Sequence, residues 1–197
     1  MSKNAHRGFR PEIVLVASST GGPFALEEIL SNLGTQFPPP ILIVQHMLAH
    51  FTEILAQNLD MKSQLRVKVA ESGELILDGS VYIAPGGVHM KLDMENRICL
   101  DDSPMINGVK PAADALFSSV AESFAGSKVL AIVLTGMGRD GEGGLALLKK
   151  KKDCICLAQS ERTCTVYGMP RVVAECGLAD MVLDLDEIPR EMERMFR

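Results

Sequence analysis

Three short loops in this sequence combine the residue types of acyl-transfer chemistry with turns able to display them. The first is Ser18-Ser19-Thr20-Gly21-Gly22-Pro23. Its glycines permit a sharp turn, and a helix starting there would offer free backbone N–H groups to an anion or a developing oxyanion. A serine on such a strand-to-helix turn can serve as a nucleophile. The same residues would also make an ordinary helix N-cap. The second loop is Gln45-His46-Met47. A histidine there could take a proton from a serine hydroxyl near neutral pH, or could be hydrogen-bonded at the rim of a core.

The third loop is Thr135-Gly136-Met137-Gly138-Arg139-Asp140-Gly141, which contains G-x-G-x-x-G ahead of a helical pattern. One reading is a nucleotide-binding module using Gly136–Gly141, with Glu161 roughly 20 residues on, where a ribose-binding acid belongs. Against it, little chain follows, and the Asp140 carboxylate would repel a pyrophosphate. The other reading gives Asp140 the task of orienting a histidine. Ser19, His46 and Asp140 would then form a triad: Ser19 attacks a carbonyl, His46 moves the proton, and Asp140 stabilises the imidazolium. The order Ser…His…Asp and the absence of G-x-S-x-G exclude an ordinary α/β-hydrolase. His46 and His50 have the i, i+4 spacing of a helical metal pair, but no third ligand supports them and His46 is expected to precede the helix. No metal is therefore expected.

These loops must be held by something regular. Apolar runs at Ile13–Val16, Ile41–Gln45, Leu65–Ala70, Val81–Ala84, Val129–Leu134, Cys154–Ala158 and Met181–Leu183 read as strands. Helical patterns cover 23–33, 50–60, 111–124, 140–150, 168–176 and 186–195, with Pro111 as a first helical residue. Segments 88–92 and 97–101 read as a hairpin turned at Glu95-Asn96. Continuous Val/Ile/Leu strands alternating with helices predict an α/β fold: a doubly wound, mostly parallel sheet with helices on both faces and a β-hairpin insert. In such folds ligands bind at the carboxyl ends of the strands, where all three loops lie.

Composition narrows the remaining classes. The 197 residues are 47% hydrophobic and 23% charged, enough apolar surface for one folded domain and too much for a disordered chain. The net charge is −5 and the one basic run is Lys149–Lys152, so no nucleic-acid partner is expected. That run reads as a solvated helix end complementing the dipole, or as a contact patch for acidic partners. No apolar run approaches the roughly 20 residues of a membrane span, and no direct membrane insertion is expected. Residues 1–11, which include His6, read as an N-terminal tail, and 12–197 as the domain. Five cysteines without C-x-x-C read as free thiols, mostly small core residues, in a reducing cytoplasm. Cys154 and Cys156 are assigned to opposite faces of their strand, against a shared zinc site.

The stretches VASSTGGP, IVQHM, YIAPGGVHM, VLTGMGRDG and AQSERTCTVYGMP resemble the catalytic domain of the chemotaxis protein-glutamate methylesterase family, CheB. The likeness runs from about residue 12 to about residue 190, in the family's order and spacing. It implies hydrolysis of γ-glutamyl methyl esters on the cytoplasmic helices of methyl-accepting chemoreceptors, with glutamine deamidation as a related activity. It implies a nucleophile at Ser19, a base at His46 and an acid at Asp140. Met137 would supply a backbone N–H to the oxyanion, Thr20 a supporting hydroxyl, and no cofactor would take part. Three local departures leave this chemistry intact and bear on substrate access: Ala17-Ser18 before the nucleophile, Leu48-Ala49-His50-Phe51 after the base, and a single lysine in Asn107-Gly108-Val109-Lys110-Pro111. Ser18 competes with Ser19 as nucleophile, and alignment on Thr-Gly-Gly favours Ser19. The receiver domain that the family usually carries is expected to be missing from this chain. A catalytically silent interaction domain of the same fold remains the other alternative to the esterase.

Overall fold

Strand β1 (Ile13–Ser18) is apolar at consecutive positions because both of its faces are covered. Ile13, Leu15 and Ala17 enter one core, and Val14 and Val16 enter the other. The computed structural model, which describes residues 8–196, builds a sheet of seven strands around β1. The others are β2 (Ile41–Gln45), β3 (Arg66–Val69), β4 (Ser80–Ile83), β7 (Lys128–Val133), β8 (Asp153–Gln159) and β9 (Met181–Leu183). Their order is β3-β4-β2-β1-β7-β8-β9, and every pair is parallel. The remaining two, β5 (His89–Leu92) and β6 (Ile98–Asp101), form the expected antiparallel hairpin, with Asn96 at positive φ in its turn.

Helices α1 (Gly22–Ser31), α2 (Ala49–Lys62) and α6 (Glu187–Arg194) cover one face. Helices α3 (Ala113–Ser123), α4 (Glu142–Lys151) and α5 (Met169–Glu175) cover the other, together with the hairpin. The chain winds leftward from β1 to β2 and later places β7 on the opposite side of β1. The topological switch thus lies between β1 and β7, beside the crevice where such sheets bind ligands.

The structure departs from expectation in several places. Strand β1 runs through Ser18, whose register partner is Gln45, so Ala17 is a core residue rather than part of the turn. Helix α3 begins at Ala113, two residues after Pro111, and α4 begins at Glu142, two after Asp140. Both starts flank the carboxylate of Asp140, which reaches away from α4 to accept the first N–H groups of α3. Cys154 and Cys156 lie on the same face, as period-two alternation requires of residues two apart. Burial seals Cys156 and pushes the Cys154 thiol up to about 12, while Cys176 is exposed rather than core. Of the basic run, Lys149 pairs with Asp180 (2.5 Å) and Lys151 with Glu122 (2.5 Å). Lys152 donates to the carbonyls of Phe124 and Gly126. Only Lys150 is left facing solvent without a described partner, which argues against a basic contact patch. Residues 1–7, with His6, lie outside the described residues. Residues 8–11 are not a loose tail: Phe9 packs on the core, and the Arg10 N–H donates to Met195 O at 3.4 Å.

Candidate active site

The carboxyl ends of β1, β2 and β7 are stitched together before any reactive group is considered. Ser18 is buried at the end of β1 and donates its hydroxyl to Gln45 Oε1 at 2.7 Å. That leaves Ser18 structural and removes it as a competing nucleophile. The Gln45 amide then donates to Ser19 O and His46 O, each at 3.0 Å. The His46 N–H donates to Ser18 O at 3.1 Å, and the Ser19 N–H to Thr135 O at 3.0 Å. One buried amide side chain therefore clamps the main chain at both Ser19 and His46. A glycine is required at 22, since a Cβ there would fall 1.8 Å from Gln45 Oε1.

The third loop is fixed from the other side. Gln159, at the end of β8, accepts from the Thr135 N–H at 2.8 Å. The N–H groups of Gly168 and Met169 donate to Gly136 O at 3.1 and 2.9 Å. In a planar trans peptide the N–H points opposite to the C=O, so the Met137 N–H is turned away from the start of α5. Among the described residues no hydrogen bond occupies it. Gly136 itself approaches the serine loop so closely that a Cβ would meet Ser19 Cβ at 2.7 Å.

Asp140 is buried, yet charged. Its Oδ2 accepts from His46 Nε2 at 2.7 Å and from the Ala113 N–H at 2.6 Å. Its Oδ1 accepts from Asn107 Nδ2 at 3.1 Å and from the Asp114 N–H at 3.2 Å. Four donors thus fill the acceptor sites of one carboxylate. Burial opposes the charge, but the His46 and Ala113 donors outweigh it, so the pKa lies below the ordinary carboxylate value. Because a carboxylate only accepts, Nε2 of His46 carries the proton and Nδ1 is left as the free lone pair.

The structure joins His46 to Asp140 across 94 positions of sequence. It brings the Ser19 backbone beside His46 through Gln45, but among the described residues no hydrogen bond links Ser19 Oγ to the imidazole. Thr20 is exposed; its carbonyl accepts from Thr135 Oγ1 at 2.8 Å, and its hydroxyl is in no described hydrogen bond. His46, Asn107, Val109, Met137, Gly138, Arg139 and Asp140 line a cleft of about 260 Å³. His50 is exposed against the Phe51 ring, on a helix that starts after His46. His89 is buried, its Nδ1 accepting from the Ala112 N–H and its Nε2 donating to Pro104 O.

The nucleotide reading of the Gly136–Gly141 loop does not fit. The Gly144 N–H in the first turn of α4 is bound at 2.7 Å by the Asp114 carboxylate, and the loop's own Asp140 serves His46. Three supporting residues escaped sequence reasoning: Gln45, Asn107 and Asp114. A glutamine closing an apolar strand and an Asn-Gly pair were the available signals.

Comparison with known proteins bears on the family and the fold. The family model described as CheB methylesterase matches residues 14–192. A protein-glutamate methylesterase/protein-glutamine glutaminase of Caulobacter vibrioides is 49% identical over 181 residues, covering 90% of this chain and 52% of that protein. A protein of the same description from Thermotoga maritima is 45% identical over 184 residues, covering 92% and 53%. The chain therefore spans about half the length of these relatives. The crystal structure of the Thermotoga maritima CheB methylesterase catalytic domain superposes with a TM-score of 0.87 at 44% identity, covering 93% of this chain and 97% of that one.

Proposed function

This chain belongs to the CheB methylesterase family, and from that premise we propose that it hydrolyses γ-glutamyl methyl esters on chemoreceptor helices, with glutamine deamidation as a second activity of the same site. The observation that carries the reading is the 2.7 Å contact of His46 with the buried Asp140, at the sheet's switch point and one strand from Ser19. The related enzymes' names supply the substrate class.

In this mechanism Ser19 Oγ attacks the ester carbonyl carbon while Nδ1 of His46 takes the hydroxyl proton. Asp140 stays ionised and stabilises the imidazolium through Nε2. The Met137 N–H receives the negative charge that develops on the carbonyl oxygen, and Thr20 supports the loop beside it. His46 returns the proton to the departing methoxide, releasing methanol and leaving an acyl-serine. Water, deprotonated by His46, then frees the glutamate and restores Ser19. Substrate binding brings Ser19 Oγ into line with Nδ1, since catalytic hydrogen bonds commonly tighten only in the complex.

On this reading the partner is a receptor's helical cytoplasmic segment, and the protein works in the cytoplasm. Its free cysteines fit a reducing compartment, and among the described residues no helix is long and apolar enough to cross a membrane. We take 12–197 as the catalytic domain. The test is methanol release from methylated receptor membranes. Wild type should release it, and Ser19→Ala should lose on the order of 10⁴-fold or more in rate. A wild type without activity would overturn the reading and leave the silent interaction domain.

A further inference from the structure

The Asn107-Gly108 pair forms a two-residue hairpin turn between Ile106 and Val109, which exchange backbone hydrogen bonds of 3.2 and 3.0 Å. Both turn residues have positive φ, 54° and 76°, the conformation for which Asn-Gly is preferred. The turn presents the Asn107 amide to two carboxylates at once. Nδ2 donates to Asp140 Oδ1 at 3.1 Å and to Asp114 Oδ2 at 2.7 Å. Nothing in the triad reading assigns this residue a role.

Resting on that reading, we propose that Asn107 is a positioning residue of the triad. It pins Oδ1 of Asp140, so that Oδ2 remains directed at His46, and it separates the charges of Asp140 and Asp114 by donating to both. The backbone N–H groups of Ala113 and Asp114 cannot do this alone, because they hold Asp140 against α3 and offer nothing to the side chain of Asp114. The other charged groups around the cleft are already engaged: Arg139 pairs with Glu142 at 2.6 Å, and Lys110 with Asp102 at 2.6 Å. Asn107 is thus the neutral donor shared by the acid that holds His46 and the second acid next to it.

The position is exposed and the turn is local, so variants can separate the amide from the backbone. Asn107→Gly keeps the turn, since glycine accepts positive φ without cost, and removes only the amide. It should lower kcat about tenfold, the scale of one hydrogen bond to a charged group, with KM little changed. Asn107→Asp also keeps the turn and replaces the donor by a third negative charge. It should move the acid limb of the kcat/KM profile to higher pH, by an amount that survives high salt, because the new charge is in contact rather than at long range. The same upward shift should be read directly from NMR titration of the His46 ring, identified by its loss in His46→Ala. A purely structural role would lower the thermal midpoint and leave the pH profile and the ring titration unmoved. Wild-type kcat and an unshifted profile in both variants would overturn the proposal. The NMR readout needs no turnover, so it distinguishes failure of this inference from failure of the esterase reading.

Discussion

Asp114 and Asp140 each cap the helix that the other leads. Asp140, two residues before α4, accepts the first N–H groups of α3, while Asp114, the second residue of α3, accepts the Gly144 N–H in the first turn of α4. The two helices pack closely: a Cβ at Gly144 would meet Phe117 Cβ at 2.6 Å. The acid of the proposed triad is thereby built into the docking of α3 against α4, and its chemistry and the fold's stability share one carboxylate.

That sharing predicts a double effect for Asp140→Asn. The amide cannot accept from four donors, so His46 loses its partner and α3 loses part of its cap. Turnover should fall on the order of 10⁴-fold. Stability should fall by about 1–3 kcal/mol, the cost of leaving buried donors unsatisfied. Steady-state kinetics and denaturant unfolding check both. Lost activity with unchanged stability would contradict the capping role.

The two carboxylates should act oppositely on stability as pH falls. Asp140 lies below its ordinary value of 3.8, so the unfolded chain protonates first. Its contribution is full above that ordinary value and is lost as pH drops through the folded one. Asp114 lies above 3.8, driven by burial, against the Gly144 and Asn107 donors and with the neighbouring Asp140 charge reinforcing the shift. The folded protein therefore binds that proton first and gains stability as pH falls through the raised value. Thermal melts from about pH 7 to about pH 3 should show the wild type's advantage over Asp140→Asn shrinking. Relative to Asp114→Asn, the wild type should improve over the same descent. The reverse order would contradict the assignment.

The two adjacent serines should separate cleanly. Ser18→Ala breaks the 2.7 Å bond to Gln45 and leaves a buried acceptor, so it should cost about 1–3 kcal/mol in stability while retaining turnover. Ser19→Ala should retain stability and lose turnover. Equal activity loss in both would show that Gln45 transmits the Ser18 change to the active loop.

Gly136→Ala should be a kinetic variant rather than a folding one. The added methyl would press on Ser19 Cβ at 2.7 Å and Met169 Sδ at 2.5 Å. A displacement approaching 1 Å at the nucleophile can cost about 10²-fold in kcat. Near-UV circular dichroism beside the kinetics checks that the fold persists. An active Gly136→Ala would mean that the two loops approach less closely in solution.

Much of this was written locally. The apolar runs and helical periods placed the seven strands of the sheet and the six α-helices of the described residues within a few residues, because both periods are properties of single segments. The glycines of the first and third loops were visible for the same reason, since positive φ is a local demand; the Asn107-Gly108 turn carried the same kind of signal and was not read. The loops themselves suggested the roles of Ser19, His46 and Asp140, and the family resemblance favoured those roles over a helix cap, a core-rim histidine and a nucleotide loop.

Tertiary structure decided the rest, because it turned on which distant segments met. Only the register of β1 with β2 buries Ser18 against Gln45 and leaves Ser19 just past the end of the strand, its main chain held beside His46. Only the packing of α3 on α4 shows why neither helix begins where its own sequence suggested. Asp140 reads as part of a glycine-rich loop until His46, Asn107 and the start of α3 are folded around it. A carboxylate's function is set by the donors that surround it, and here they come from the loop after β2 and from the turn and helix start at 107–114, both distant in sequence from Asp140.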